Sequence, residues 1–230
     1  MISPWVVLVA LFGLLAGAAI WNLALARAAG WGAAGGPRAW VPVLGAFRAG
    51  QSGATTTHAL LFQLAVAAYY GLITLRHADD PGWVVSTILF SFPLLIVLLV
   101  DAWTRLIHTN IIAGGILLGL VSATFEGFPE LGQSLLGGAV ALAIFGIFFT
   151  VAGFISQRVR VVPFGMGDVY LATMIGCMVR FDRVFFALFA GLALAGVASL
   201  VLLVAGRFGA RRPLSFGPYL CAGALAALAV

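Results

Sequence analysis

Charged side chains are scarce in this sequence, and their scarcity excludes a water-soluble core. Of the 230 residues, 8% are charged and 63% are hydrophobic. The apolar residues form long uninterrupted runs, such as "WVVLVALFGLLAGAAIWNLALA", which are long enough to cross a bilayer. We therefore predict an integral membrane protein.

Cysteine is rare and lysine is absent. The two cysteines, Cys177 and Cys221, lie in apolar stretches without CxxC spacing, so the sequence supports neither a disulfide framework nor a zinc site. We expect both to be buried free thiols. All twelve basic residues are arginine and are scattered between apolar runs. Their distribution argues against a nucleic-acid-binding surface and is typical of topology signals.

The apolar runs predict an all-α, polytopic membrane bundle of about eight helices. A bilayer core of about 30 Å needs roughly 20 apolar residues per helix. The sixth and eighth segments are short, so seven spans or a re-entrant segment stay open. The predicted spans are 4–26, 58–76, 83–100, 109–125, 132–155, 165–180, 184–205 and 213–229.

The arginines orient these spans, because short loops that carry arginine stay on the cytoplasmic side. An N-terminus outside places most arginines in inner connections and most acids in outer ones. The inner arginines are Arg27, Arg38, Arg48, Arg105, Arg158, Arg160, Arg207, Arg211 and Arg212. The outer connections contain Arg76, Arg180, Arg183, Asp79, Asp80, Glu126, Glu130 and Asp182.

The first inner loop, at about residues 27–57, is the one long connection between predicted spans. It is rich in Gly, Ala and Arg, and it is too short to form an independent domain. We therefore predict an N-terminal two-helix region at 1–80 with this reduced cytoplasmic loop, followed by a six-helix domain at 81–230.

Asp101 and Asp168 are the two remaining acids. Asp101 ends the apolar run "FSFPLLIVLLVD", and Asp168 begins another in "GMGDVYLATMIG". One outward and one returning span separate them, so the topology brings both to the cytoplasmic edge. A carboxylate in the apolar zone costs roughly a few kcal/mol on insertion scales, and a functional role is therefore the first hypothesis.

Two carboxylates that meet in a poorly solvated site can share one proton near neutral pH. The ionised member can take a proton from the water that attacks a peptide carbonyl, while the protonated member donates to the carbonyl oxygen. Gly165 and Gly167 remove side-chain bulk, so the backbone can bend or a peptide can approach. This is the chemistry of an aspartic protease, which needs no metal.

The two acids are also compatible with roles outside proteolysis. Either acid alone could be an interface residue, and Asp168 could be a helix N-cap. As a pair they also fit a proton-coupled transporter or channel component, although we find no inverted repeat or pair of broken helices. Spacing alone does not separate a protease from a transporter.

At "FGMGD", with the upstream Asp101 and the late "RPLSFGPYLCAGAL", the sequence resembles the type IV prepilin peptidases, the GxGD class of membrane aspartic proteases. "GAAIWNLALARAAG" and "WVPVLGAFRAG" are similar to the family's first-helix end and first loop, so the resemblance covers most of the chain. It implies that Asp101 and Asp168 are the catalytic pair and that 81–230 is the peptidase domain. Residues Gly165 and Gly167 match the GxGD motif, and Phe216, Gly217 and Pro218 match a late element.

The resemblance implies removal of short basic leader peptides from prepilins or pseudopilin-like proteins. Cleavage is expected at the cytoplasmic face of the inner membrane, just before the apolar helix of the substrate. The expected surroundings are the lipid bilayer, with no nucleic acid partner and no cofactor for proteolysis. The oligomeric state stays open.

Several positions depart from the usual pattern of this family. His108 stands where proline is usual after the first aspartate, Asn110 is displaced, and Tyr170 replaces a basic residue. Ser215 stands where the late element usually begins with proline. We take His108, Asn110 and Tyr170 as candidate modulators, with an ordinary interfacial histidine as the alternative for His108. These departures leave a catalytically silent assembly partner open.

Family members that also N-methylate their products carry paired cysteines in the first inner loop and an acid associated with it. This loop has no cysteine, and Gln63 stands where such an acid might lie. We therefore expect peptidase activity rather than N-methylation that depends on S-adenosylmethionine.

Overall fold

The computed structural model describes residues 4–29, 53–105, 107–159, 165–205 and 215–230. Within these ranges the chain forms seven α-helices and no strand, which confirms the predicted all-α class. Six of the seven are long and apolar enough to cross a membrane. The helices are α1 Pro4–Ala29, α2 Gly53–Arg76, α3 Pro81–Thr104, α4 Thr109–Glu126, α5 Phe128–Val159, α6 Met166–Val204 and α7 Gly217–Leu228.

The predicted sixth and seventh spans are two helical segments on either side of a kink at Arg180, and they are numbered together as α6. Arg180 interrupts α6 with φ 67° and ψ 175°, a left-handed φ that is uncommon outside glycine. The eight expected spans therefore correspond to seven helices in the described part of the chain. The short eighth span is α7, whose 12 residues fall below the roughly 20 that cross a bilayer.

The described residues form two compact units, Met1–Val100 and Asp101–Val230. The predicted functional division at residue 80 stays a prediction. Most of the predicted inner loop lies outside the described residues. The same holds for six of the predicted inner arginines, namely Arg38, Arg48, Arg160, Arg207, Arg211 and Arg212.

In the first unit, small residues let α1 pack closely on α2. A Cβ atom at Gly13 would lie 2.7 Å from Ala67 Cα, and Gly17, four residues later, faces α2 in the same way. This is the small-xxx-small spacing of membrane helix pairs. A hydrogen bond of 2.7 Å joins the Tyr70 and Ser91 hydroxyls of α2 and α3. Both buried hydroxyls are therefore satisfied within the protein.

In the second unit, the first half of α6 packs against α4 and α5. Gly137 of α5 and Gly176 of α6 face each other so closely that a side chain at either would overlap the other backbone. The Ser134 hydroxyl of α5 donates to the Cys177 carbonyl at 2.6 Å. These contacts fix the α6 segment that begins at the GxGD motif.

The second half of α6 packs against α7. A Cβ atom at Gly191 would lie 2.8 Å from Leu220 Cα, so the two backbones are nearly in contact. Cys221 follows on α7, and both Cys177 and Cys221 are buried free thiols, as expected. Through this packing, α7 is held against the helix that carries Asp168.

Candidate active site

Asp101 lies in the last turn of α3, three residues before the helix ends at Thr104. Its side chain is 2% exposed, and it is the only charged residue that is buried among those the structure describes. A buried carboxylate is costly unless hydrogen-bond donors replace its water. The buried position of Asp101 therefore requires hydrogen-bond donors next to its carboxylate.

The segment that begins α7 supplies those donors. The Ser215 hydroxyl donates a hydrogen bond to Asp101 Oδ2, and the Gly217 backbone N–H donates to the same carboxylate. A Cβ atom at Gly217 would overlap the Asp101 carboxylate, so glycine is required by this contact. Arg105 adds a favourable charge interaction with Asp101.

Asp168 lies in the first turn of α6, behind the N-cap residue Gly165. Asp168 Oδ2 accepts a hydrogen bond from the Gly165 N–H at 3.3 Å, and the Asp168 N–H donates to the Gly165 carbonyl at 3.1 Å. The side chain therefore folds back over the start of the helix from its third residue. This corrects the N-cap alternative, because Gly165 occupies the cap position.

The two glycines of the GxGD motif have different surroundings. A Cβ atom at Gly165 would meet only ordinary contacts, the nearest being Asp168 Oδ2 at 3.6 Å. A Cβ atom at Gly167 would lie 3.2 Å from Ile107 Cδ1. Ile107 belongs to the segment between α3 and α4 that follows Asp101. Gly167 thus permits this segment to approach α6, whereas a side chain at Gly165 would make an ordinary contact with the Asp168 carboxylate.

The fold of the second unit brings the two aspartates close enough for their charges to interact. Asp101 is buried, and Asp168 is partly exposed. Neither forms an ion pair with a described residue. The buried Cys221 thiol interacts electrostatically with both. Within the described ranges the site therefore contains two carboxylates that are held by hydrogen-bond donors and form no salt bridge.

Such a pair can bind a water molecule and exchange protons with it, since each carboxylate can both accept and return a proton. One member is anchored deep in the protein, and the other is accessible at a helix start. Among the described residues, no group of three or more His, Cys, Asp or Glu side chains is arranged to hold a metal ion.

The other predicted site residues lie at helix starts. His108 is the N-cap residue of α4, and its carbonyl accepts the Ile111 N–H at 3.0 Å. Asn110 is exposed in the first turn of α4, and Tyr170 is 44% exposed on α6. Their modulating roles stay predictions.

Within the late element, Gly217 contacts Asp101, while Phe216 is the N-cap residue of α7 and Pro218 lies in its first turn.

Two features of this unit were missed by sequence reasoning. The sequence marks Ser215 only as a departure from the family pattern, although a hydroxyl beside the late element is a usable signal. It predicts Arg180 as an outer-loop residue without a partner, and the structure shows that Arg180 binds Glu126 at 2.6 Å and Glu130 at 2.5 Å. The sequence predicts all three residues in outer connections, and this shared location could have indicated that they form an ion-pair cluster.

Comparison with protein families identifies one match in this region. A family model described as "Type IV leader peptidase family" matches residues 88–201. The matched segment contains Asp101 and Asp168 and ends before Ser215. No curated protein and no solved structure matches the chain.

Proposed function

Since the chain belongs to the type IV leader peptidase family, we propose that it is a membrane aspartic endopeptidase. Its substrates are prepilin or pseudopilin-like proteins with a short basic leader followed by an apolar helix. It acts at the cytoplasmic face of the inner membrane. The observation that carries this proposal is the approach of Asp101 to Asp168, with no salt bridge from a described residue to either carboxylate.

The first half of the reaction adds water to the scissile peptide bond. The ionised carboxylate removes a proton from a bound water, and the water oxygen attacks the carbonyl carbon. The protonated carboxyl group donates its proton to the carbonyl oxygen at the same time. The product of this step is a neutral tetrahedral diol, and the two carboxyl groups have exchanged protonation states.

The second half breaks the carbon–nitrogen bond. The carboxyl group that took the proton from water donates it to the leaving nitrogen, while the other carboxylate recovers a proton from a diol hydroxyl. The leader departs with a new carboxyl terminus, and the mature protein keeps a free amine. Both aspartates return to their starting protonation states, so no external acid or base is consumed.

The placement of the acids at helix ends suits a substrate that is itself a membrane helix. Asp101 lies in the last turn of α3 and Asp168 in the first turn of α6. The apolar helix of a prepilin would lie in the bilayer beside the enzyme, and its leader would extend past the membrane edge. The scissile bond at this junction would then be within reach of both carboxylates.

N-methylation is not part of the proposal. Gln63, which replaces the acid expected of bifunctional members, belongs to α2, and its Cα would lie 2.9 Å from a Cβ atom at Gly17 of α1. Residue 63 thus contributes to helix packing in the first unit. That the protein acts without S-adenosylmethionine stays a prediction, which rests on the lack of a cysteine in the first inner loop and on glutamine at position 63.

The proposal is tested with purified protein in lipid and candidate prepilins. Wild type is compared with Asp101→Asn and Asp168→Asn, and the released leader is measured by mass spectrometry. Asp182→Asn is the matched control, because Asp182 lies on α6 and its ion-pair partner is Arg183, at 3.5 Å. We expect cleavage by wild type and Asp182→Asn only.

Cleavage that persists in both aspartate variants would exclude the paired-acid mechanism. If no prepilin is processed and a proton-dependent flux appears in liposomes, the protein is a transporter instead. If neither activity is found and the protein copurifies with pilus components, it is an assembly partner.

A further inference from the structure

Ser215 contacts Asp101 but has no part in the reaction steps described above. Its hydroxyl donates to Asp101 Oδ2 across 114 residues of sequence. The Gly217 N–H donates to the same carboxylate from two residues further on. One short segment before and at the start of α7 therefore supplies two donors to a single buried side chain.

Asp168 is held in a different way. Among the described residues, its carboxylate accepts a hydrogen bond from Gly165, in its own helix turn, at 3.3 Å. This bond is at the long end of the usual range, and the side chain is partly exposed. The orientation of Asp168 is thus set locally, whereas that of Asp101 is set by a tertiary contact with Ser215 and Gly217.

The contact matters for catalysis because two carboxylates can share a water only when both point at it. Asp101 is near the end of α3, and Arg105 then adopts a left-handed φ of 55°, so the chain leaves the helix just beyond the acid. A buried carboxylate that loses a donor carries an uncompensated desolvation cost, so its original orientation is no longer favoured. A displacement of about 1 Å in a reacting group can reduce the rate about a hundredfold.

We propose that Ser215 is a positioning residue for leader-peptide cleavage, and that its hydroxyl holds the Asp101 carboxylate in the orientation in which it acts together with Asp168. This inference rests on the proposed function. Proline, usual at this position in the family that the chain resembles, has neither a hydroxyl nor an N–H. The side-chain donor is therefore a feature of this sequence.

The test compares Ser215→Ala, Ser215→Cys and Ser215→Thr with wild type in proteoliposomes, using one prepilin substrate and measuring kcat and KM. Alanine removes the donor, and cysteine keeps the shape with a weak donor. We expect both to lower kcat about tenfold to a hundredfold, the effect of losing one hydrogen bond to a charged group, with KM changed less than about twofold. Threonine retains the hydroxyl and is expected to restore kcat to within about threefold.

The matched control is Ser199→Ala. The Ser199 hydroxyl donates to the Ala195 carbonyl of its own helix at 2.8 Å, so its removal leaves Asp101 untouched. We expect kcat and KM of this variant to equal those of wild type. Thermal unfolding of every variant is recorded, and the cysteine and threonine variants decide the question if Ser215→Ala does not accumulate.

Three outcomes overturn the inference. If Ser215→Ala and Ser215→Cys have the wild-type kcat while Asp101→Asn is inactive, Ser215 has no positioning role, and the proposed function still stands. An equal loss of kcat in all three Ser215 variants, accompanied by a lower Tm, shows that the side chain acts through folding alone. Cleavage by Asp101→Asn contradicts the proposed function itself, and the role of Ser215 is lost with it.

Discussion

Two pairs of acids in the second unit are held in opposite ways. Glu126 and Glu130, at the junction of α4 and α5, both bind the Arg180 guanidinium, at 2.6 and 2.5 Å. Asp101 and Asp168 have hydroxyl and amide donors and no ion pair with a described residue. The first half of α6, of roughly 20 Å at 1.5 Å per residue, runs from Asp168 to Arg180.

Acids that share a salt bridge with Arg180 are suited to stabilising the fold. Acids that have only neutral hydrogen-bond donors are suited to proton transfer. A guanidinium held between two carboxylates forms directional, charge-assisted hydrogen bonds with both. Neutral hydrogen-bond donors are better suited to carboxylates that gain and lose a proton in each reaction cycle, because they do not place a full positive charge beside the site of protonation. Arg180 has φ 67° and ψ 175°, a backbone region that is essentially restricted to glycine and costs about 1–3 kcal/mol, and its two ion pairs hold the side chain at this kink.

Removing either aspartate should have the largest effect on activity. We expect Asp101→Asn and Asp168→Asn to lower the cleavage rate about a hundredfold to ten-thousandfold, because an amide cannot transfer the proton. Glu126→Gln should leave the rate of the folded protein within about threefold of wild type, since Arg180 still binds Glu130. Single-turnover cleavage assays measure both. A catalytic loss in Glu126→Gln as large as that in Asp101→Asn would contradict the division between the two clusters.

Gly217→Ala is the next largest predicted perturbation. The added methyl group would overlap the Asp101 carboxylate, so the carboxylate or the start of α7 must move. We expect about a hundredfold loss of kcat and about 1–3 kcal/mol lower stability. The measurements are kcat and chemical unfolding in detergent.

The matched control for Gly217→Ala is Gly196→Ala on α6, because a Cβ atom there has nothing within 4 Å. Alanine is the better helix former, so this variant should be neutral or more stable by about 0.5–1 kcal/mol. Equal losses in the two variants would show that the Asp101 contact is not the cause.

Arg180→Met should affect stability more than activity. The substitution leaves Glu126 and Glu130 without their shared cation, and both glutamates are partly exposed. We therefore expect a loss of about 1–2 kcal/mol, measured as a lower Tm in detergent. The triple variant Arg180→Met, Glu126→Gln and Glu130→Gln should recover most of that loss. A lower cleavage rate with an unchanged Tm would place Arg180 in the catalytic machinery instead.

Gly167→Ala should give the smallest effect. Its Cβ atom would lie 3.2 Å from Ile107 Cδ1 and 3.3 Å from Ile107 Cβ, so the Ile107 side chain and its Cβ atom must move by a few tenths of an ångström. We expect a loss of stability of about 1 kcal/mol or less and a kcat reduced about twofold to tenfold.

Ile107→Val, combined with Gly167→Ala, removes the contact with Cδ1 and leaves the contact with Cβ at 3.3 Å, so kcat should recover part of its loss. No recovery of kcat in the Ile107→Val background would show that the contact with Cδ1 is not the cause, and would favour a role of Gly167 in the approach of a peptide.

Much of this arrangement is encoded locally. Apolar runs predicted the helices because each must satisfy its own backbone in the bilayer. The aspartates were identified because a charge at a membrane edge is rare and costly. The break between the predicted sixth and seventh spans falls at the kink of α6, where the charged residues around Arg180 interrupt the apolar run.

Tertiary contacts could not be predicted from local patterns. The hydropathy of "RPLSFGPYL" does not reveal that Ser215 reaches Asp101, 114 residues away. The contact arises because Gly191 lets α7 lie against α6, and this in turn depends on how the helix backbones fit. The sequence also does not specify where α6 begins. Its N-cap residue is Gly165, three residues before Asp168.

The sequence by itself determined the class of the protein, the number of apolar segments to within one, and the two acids that form the candidate site. These follow from transfer free energies, which each segment carries without its neighbours. Only the tertiary structure decided which donors hold Asp101 and which acids Arg180 neutralises. Hydrogen bonds and ion pairs between distant residues exist only when helix packing brings their atoms within about 3 Å.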